Sequence, residues 1–177
     1  ADDPVWGEWL SNNPDLGMTV GQPELNKGDA FYNFGIPIQQ GRGKVYSFGG
    51  FTYREGKSYA LYRPPYWIPD PYNLLHEEGT EYQGFQPTFE TKVRDNYNTL
   101  GVEWELLGFD IDLSGTYGRN AVDYEVGNSL NPALGADSPT TFDVGAYSFS
   151  NLLANLDVSR SFGAVSIGFG SEVRGED

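Results

Sequence analysis

The chain has 177 residues, enough for one domain with a sizeable core, and its 25 acidic against 11 basic residues give a formal charge of -14. That charge repels nucleic-acid phosphates and anionic lipid headgroups, so nucleic acid is excluded as a partner. With no cysteine, disulfides, thiolate catalysis and cysteine metal sites are excluded too; 12 Tyr, 11 Phe and 4 Trp beside 23 Gly favour strands and turns over helices.

No apolar run reaches 18 residues, so no transmembrane helix is expected. The opening Ala1-Asp2-Asp3 has neither the basic nor the apolar region of a signal peptide, which is expected to be already removed or outside the sequence. Residues 1–29 mix Pro, Asn, Gly and Asp without a clean period and read as a long loop. Residues 30–38 alternate as a first strand, with Tyr32, Phe34, Ile36 and Ile38 on one face. The segment QQGRG makes a short turn into a second strand, 44–54, whose faces are contested: Val45, Phe51 and Tyr53 compete with Tyr46 and Phe48.

The Pro- and Tyr-rich residues 55–87 show no period and read as a long, stiff, extended loop. A third strand runs from about 88 to 107, clearest where Leu100, Val102, Trp104 and Leu106 alternate with Glu103 and Glu105. Leu107-Gly108 is a two-residue turn into FDIDLSGTYG (109–118), with Phe109, Ile111, Leu113 and Tyr117 on one face and Asp110, Asp112, Ser114 and Thr116 on the other. A second long connection spans 120–143. Strands over 146–160 and 164–174 close the pattern, joined by a four-residue turn, Arg160–Gly163, that pairs Val158 with Val165, Leu156 with Ile167 and Ala154 with Phe169.

Six strands in three hairpins result, with short turns at one rim and long loops at the other. That asymmetry, and strands long enough to cross a bilayer at a tilt, match an antiparallel transmembrane β-barrel segment with short periplasmic turns and long extracellular loops. The apolar residues then meet lipid, and aromatics near strand ends (Tyr53, Tyr117, Tyr147, Phe162) form interfacial girdles. A soluble antiparallel sheet with one buried face shows the same alternation. In the two-residue hairpin Glu105 stacks on Asp110 and Glu103 on Asp112, so four carboxylates crowd one face and need cations, protons or water.

Catalytic and metal chemistry find little purchase. Asp110-x-Asp112 on a strand lacks the loop ligands of a calcium site, and no Gly-x-Ser-x-Gly elbow is present. The glycine-rich turn at Gly41 and Gly43 precedes no helix pattern, so it is not a phosphate loop. His76 has no obvious set of partners. No enzyme activity, no cofactor and no metal site are expected. Ligand recognition has better support: Tyr59, Tyr62, Arg63, Tyr66, Trp67 and Tyr72 offer rigid aromatic contact area, with packing of the loop against its neighbours as the plainer use of the same residues.

Several blocks, SYALYRPPYW, EYQGFQPTFETKV, YGRNAVDYEVGNSLNPALGADSPTTFDVG, NLDVSRSF and FGSEVR, resemble in order and spacing the barrel of TonB-dependent outer-membrane receptors, over about residues 12–174. The resemblance implies a plugged 22-stranded barrel importing an iron chelate, cobalamin or a glycan across the Gram-negative outer membrane. Residues 1–177 would be an early part of that barrel without its plug domain. It implies as partners outer-membrane lipid, the remaining strands and plug, a TonB-type energy-coupling protein acting through the plug, and surface lipoproteins. Glu103, Glu105, Asp110 and Asp112 would face arginines or lysines of the plug, or line a hydrated lumen. Alternatives are a soluble extracellular β-domain binding carbohydrate, or a structural barrel segment of a larger surface assembly.

Overall fold

The computed structural model describes residues 7–13, 21 and 23–177. It is all-β: β1 (Glu24–Ile38), β2 (Gly43–Tyr59), β3 (Thr88–Leu106), β4 (Phe109–Gly127), β5 (Phe142–Phe162) and β6 (Val165–Glu176) form one open antiparallel sheet in chain order, with β1 and β6 at its edges. A short helix, α1 (Gly7–Asn12), and 3-10 turns at Gln39–Gly41 and Pro132–Asp137 complete the regular structure of the described residues.

The six strands and their order agree with the sequence reading; several bounds do not. The expected loop over 1–29 contains α1, and β1 begins at Glu24; residues 1–6, 14–20 and 22 of that loop lie outside the described residues. The second strand runs to Tyr59 and the fourth to Gly127, so the two long connections shrink to 60–87 and 128–141. The Leu107-Gly108 turn is as expected: φ of 53° and 78° at its two residues is the left-handed pair that suits a tight hairpin. The last hairpin is corrected. Phe162 pairs with Val165 and Val158 with Phe169, so Gly163-Ala164 forms the turn and the register lies four residues from the expected one. A shift by an even number leaves each residue on its original face.

The chain divides into two compact units. The sheet unit comprises Lys27–Arg54, Val93–Val122 and Tyr147–Asp177. Contacts fix its two faces. Thr99 meets Thr116 at 2.8 Å, Lys44 Nζ meets Glu103 Oε1 at 3.1 Å, and Tyr46 donates to Asp112. Even residues of β2 and β4 thus share a face with odd residues of β3. The second-strand ambiguity resolves accordingly. Tyr46 and Phe48, stacked at 6.2 Å, belong to this polar face, while Ser47, bonded to Tyr32 at 3.1 Å, joins Val45 and Phe51 on the other. Gly101 is needed beneath the Tyr46 ring, because a Cβ there would overlap it.

Burial is inverted relative to an ordinary half-buried sheet. On β4 the polar Asp112, Ser114 and Thr116 are partly covered, whereas Leu113 and Tyr117 are 47% and 41% exposed. Leu100, Leu106, Leu152, Leu156, Ile167 and Phe169 are exposed as well, and Val122 is the one apolar core residue of this unit. The covered polar groups are bonded: Ser47 donates to the Thr99 carbonyl at 2.7 Å, and no buried side-chain polar atom among the described residues lacks a partner. The segregation has exceptions, since Phe31 and Phe149 alternate onto the polar face, as does Tyr147, which therefore leaves the expected girdle. Tyr117 and Phe162 remain on the apolar face, both exposed.

Candidate functional site

The loop unit comprises the described residues of 1–26 with Glu55–Lys92 and Asp123–Ala146. Its connection 60–87 is tied at several points rather than extended. Arg63 and Phe85 exchange backbone hydrogen bonds of 2.7 and 3.0 Å, and Pro64 beside them is fully buried. Trp67 N–H closes a turn onto the Pro64 carbonyl at 3.0 Å.

At the centre of this connection lies Asp70, which the sequence reading passed over. Its side chain is 0% exposed. Oδ1 accepts from Leu74 N–H at 2.9 Å, while Oδ2 accepts from Leu75 N–H at 2.7 Å and meets His76 Nδ1 at 3.0 Å. Burial pushes the carboxyl up, but the two backbone donors and His76 outweigh it and hold the group below the ordinary value. His76 therefore has the partners it lacked on paper: Asp70, and the Tyr82 ring at 5.0 Å. Tyr82 donates to the Ile68 carbonyl at 2.8 Å, and burial, then the Asp70 charge, push its phenol up to about 12. With Nδ1 held by a buried carboxylate and its ring against Tyr82, His76 helps to fasten the loop.

The six residues expected to bind ligand separate by environment. Tyr62 stacks on Trp9 at 5.7 Å and donates to the Gln83 carbonyl, and Trp9 Nε1 donates to the Gln83 side chain at 2.7 Å. Tyr59 donates to Glu24 at 2.6 Å, and Arg63 sits in the bridge to Phe85. These three are committed to holding the loop. Tyr66, Trp67 and Tyr72 are 42%, 49% and 54% exposed, with Tyr66 and Trp67 packed edge to face at 6.3 Å. Tyr72 also lines a cleft of about 230 Å³ between the two long connections, with Pro69, Pro71, Leu74, Leu130 and Pro132. Gly135, at φ 57°, lines the same cleft, and a Cβ added there would come within ordinary contact of the Tyr72 ring. Rigid apolar walls with few polar groups suit a flat ring-sized moiety. Residues 130–135 went unread because only folding brings them to Pro69 and Tyr72.

The four hairpin carboxylates, Glu103, Glu105, Asp110 and Asp112, line one depression of about 420 Å³ with Lys44 and Asp157. They are not equally bare. Glu103 pairs with Lys44, and Asp112 takes the Tyr46 hydroxyl at 2.9 and 3.0 Å to its two oxygens. Both members of the Lys44–Glu103 pair are nearly half exposed, so that bond contributes little, about 0–1 kcal/mol. Among the described residues no three acidic or imidazole groups converge as a metal site.

No protein-family model matches the chain, and no curated protein sequence does.

Proposed function

We propose that this protein forms part of an outer-membrane β-barrel of the kind found in TonB-dependent receptors, with its apolar face against lipid and its polar face toward a hydrated interior. The observation that carries the reading is the inverted burial of the sheet unit, in which Leu113, Leu152 and Phe169 are exposed while Thr99, Ser114 and Thr116 on the polar face are covered or partly covered. In water so broad an apolar face is costly and rare; in hydrocarbon it is the favourable arrangement. Strands of 12 to 21 residues meet or exceed the roughly 9–11 needed to cross a bilayer. The open edges at β1 and β6 leave backbone groups that hydrocarbon would not satisfy, so further strands, of this or another chain, lie beside both. The same edges favour, as a second reading, a structural segment of a larger surface assembly.

In the receptor reading the protein sits in the Gram-negative outer membrane and binds a scarce nutrient, an iron chelate, cobalamin or a glycan, without catalysis. A plug domain fills the interior, a TonB-type protein supplies energy through it, and surface lipoproteins cooperate outside. Support for the ligand role is confined to Tyr66, Trp67 and Tyr72, whose rings are exposed, Tyr66 and Trp67 packing edge to face.

Spin labels test the membrane placement. Labels at Leu113→Cys and Leu156→Cys in isolated outer membranes should collide with oxygen and be shielded from a water-soluble nickel chelate, and a label at Asp157→Cys should show the reverse. Equal chelate access at all three positions would overturn the reading. For the loops, Tyr66→Ala with Trp67→Ala is expected to weaken nutrient uptake at least tenfold while assembly stays normal, whereas Tyr62→Ala should raise protease cleavage within 60–87. If Tyr66 and Trp67 prove as necessary for assembly as for uptake, the aromatics are packing only.

A further inference from the structure

The two faces of the sheet unit differ in charge as sharply as in polarity. Strand alternation, anchored by the contacts above, places every carboxylate of the strands in this unit on the polar face, from Asp29 on β1 to Glu172 and Glu176 on β6. The apolar face holds none. It carries only Arg94 on β3, Arg119 on β4 and Arg160 on β5. A chain with a formal charge of -14 thus presents a purely cationic set of ionised groups on one face.

The positions of these arginines are as informative as their sign. Arg160 lies near the short turns, where its guanidinium sits 4.8 Å from the centres of both the Phe109 and Phe162 rings. Both contacts place the cationic carbon over a ring, and among the described residues the guanidinium makes no hydrogen bond or ion pair. Arg119, which reaches Ser148 at 3.3 Å, and Arg94 lie toward the other end of the apolar band. Phe109 and Arg119 are ten positions apart on β4, about 33 Å of strand at roughly 3.3 Å per residue, which a tilt of about 45° reduces to about 23 Å. That is close to the ~25 Å apolar band of outer-membrane barrels.

Resting on the membrane reading above, we propose that these arginines seat the apolar face on phosphate groups of anionic phospholipids, with Arg160, braced between Phe109 and Phe162, as the preformed contact at the short-turn rim. The guanidinium fork matches a phosphate in two-point geometry, and the aromatic brace holds it at the depth where headgroups begin. Net charge sets the long-range field; within a Debye length of the membrane the local groups decide, and here they are positive.

The test places the full protein in nanodiscs of phosphatidylcholine with a minor fraction of phosphatidylglycerol and counts retained lipids by native mass spectrometry. The wild-type protein is expected to enrich phosphatidylglycerol at least threefold over the disc composition. Arg160→Gln should remove most of that enrichment, Arg160→Lys should keep part of it, and Arg174→Gln on the polar face should leave it unchanged. Arg119→Gln gives an independent reduction that does not disturb the Phe109–Phe162 brace. Insertion without enrichment, or enrichment untouched by Arg160→Gln and Arg119→Gln, overturns the phosphate site alone. Failure of the protein to enter discs at all overturns the membrane reading and this proposal with it.

Discussion

Leu113→Arg is expected to lower the unfolding free energy of the protein in a bilayer by about 2–4 kcal/mol, the cost of a charge near the midplane of a lipid-facing strand. Leu113 is 47% exposed, and in water the same substitution at so open a position would fall within about 0.5 kcal/mol of neutral. The gap between those figures lets one variant decide which solvent the apolar face meets. Depth supplies an internal control: Val165, 59% exposed and immediately after the last turn, should accept arginine at a cost of only about 0–1 kcal/mol. Urea titration of vesicle-reconstituted protein by tryptophan fluorescence measures both. Two equal, near-zero effects would mean that water covers this face.

The alternation that motivates this experiment was legible in the sequence where each strand keeps one phase. In β4 the odd positions from Phe109 to Tyr117 are apolar, and that part was read correctly; beyond it the apolar positions become the even Val122, Tyr124 and Val126, so a rule keyed to odd positions stops although the strand continues to Gly127. The start of β1, ELNKGD, contains little that favours a strand; pairing with its neighbour overrides local propensity there. The register error at Gly163-Ala164 has a similar origin, because Ser161 and Ser166, 2.9 Å apart, look like turn residues but face one another across the hairpin.

The candidate site was less legible, for a different reason. Aromatic content identified the right segment, but whether a tyrosine faces solvent or fastens the loop depends on partners far along the chain. Tyr62 is withdrawn from the surface by Trp9 and Gln83, and Tyr72 gains a cleft from Leu130 and Pro132. No period or spacing encodes such meetings. The pair Asp70 and His76 is closer to a sequence signal, since an aspartate between two prolines is a natural cap for the turn that follows it. It was passed over because His76 was weighed for chemistry instead of for packing.

Asp70→Ala is therefore expected to have the second large effect, confined to the loop unit. The substitution leaves Leu74 N–H, Leu75 N–H and His76 Nδ1 without their acceptor in a site where the carboxylate was fully buried. Each orphaned donor costs about 1–3 kcal/mol, and loss of one partner from a buried charged set about 3–5 kcal/mol overall, enough to open a local segment. Amide exchange at Leu74 and Leu75 should accelerate at least a hundredfold, with new protease cleavage between 60 and 87, while amides of β4 and β5 in the sheet unit keep their protection. Asp70→Asn should be milder, because its one carbonyl oxygen still accepts. The pH dependence follows from the sign of the shift. The folded carboxyl titrates below its ordinary 3.8, so its contribution is fully present above the unfolded value and is lost as pH falls through the folded one. The loop of the wild-type protein should stay closed at about pH 5 and open only under stronger acid, and Asp70→Asn should abolish that acid transition. Opening of the wild-type loop between about pH 5 and 7 would show that some other group holds it.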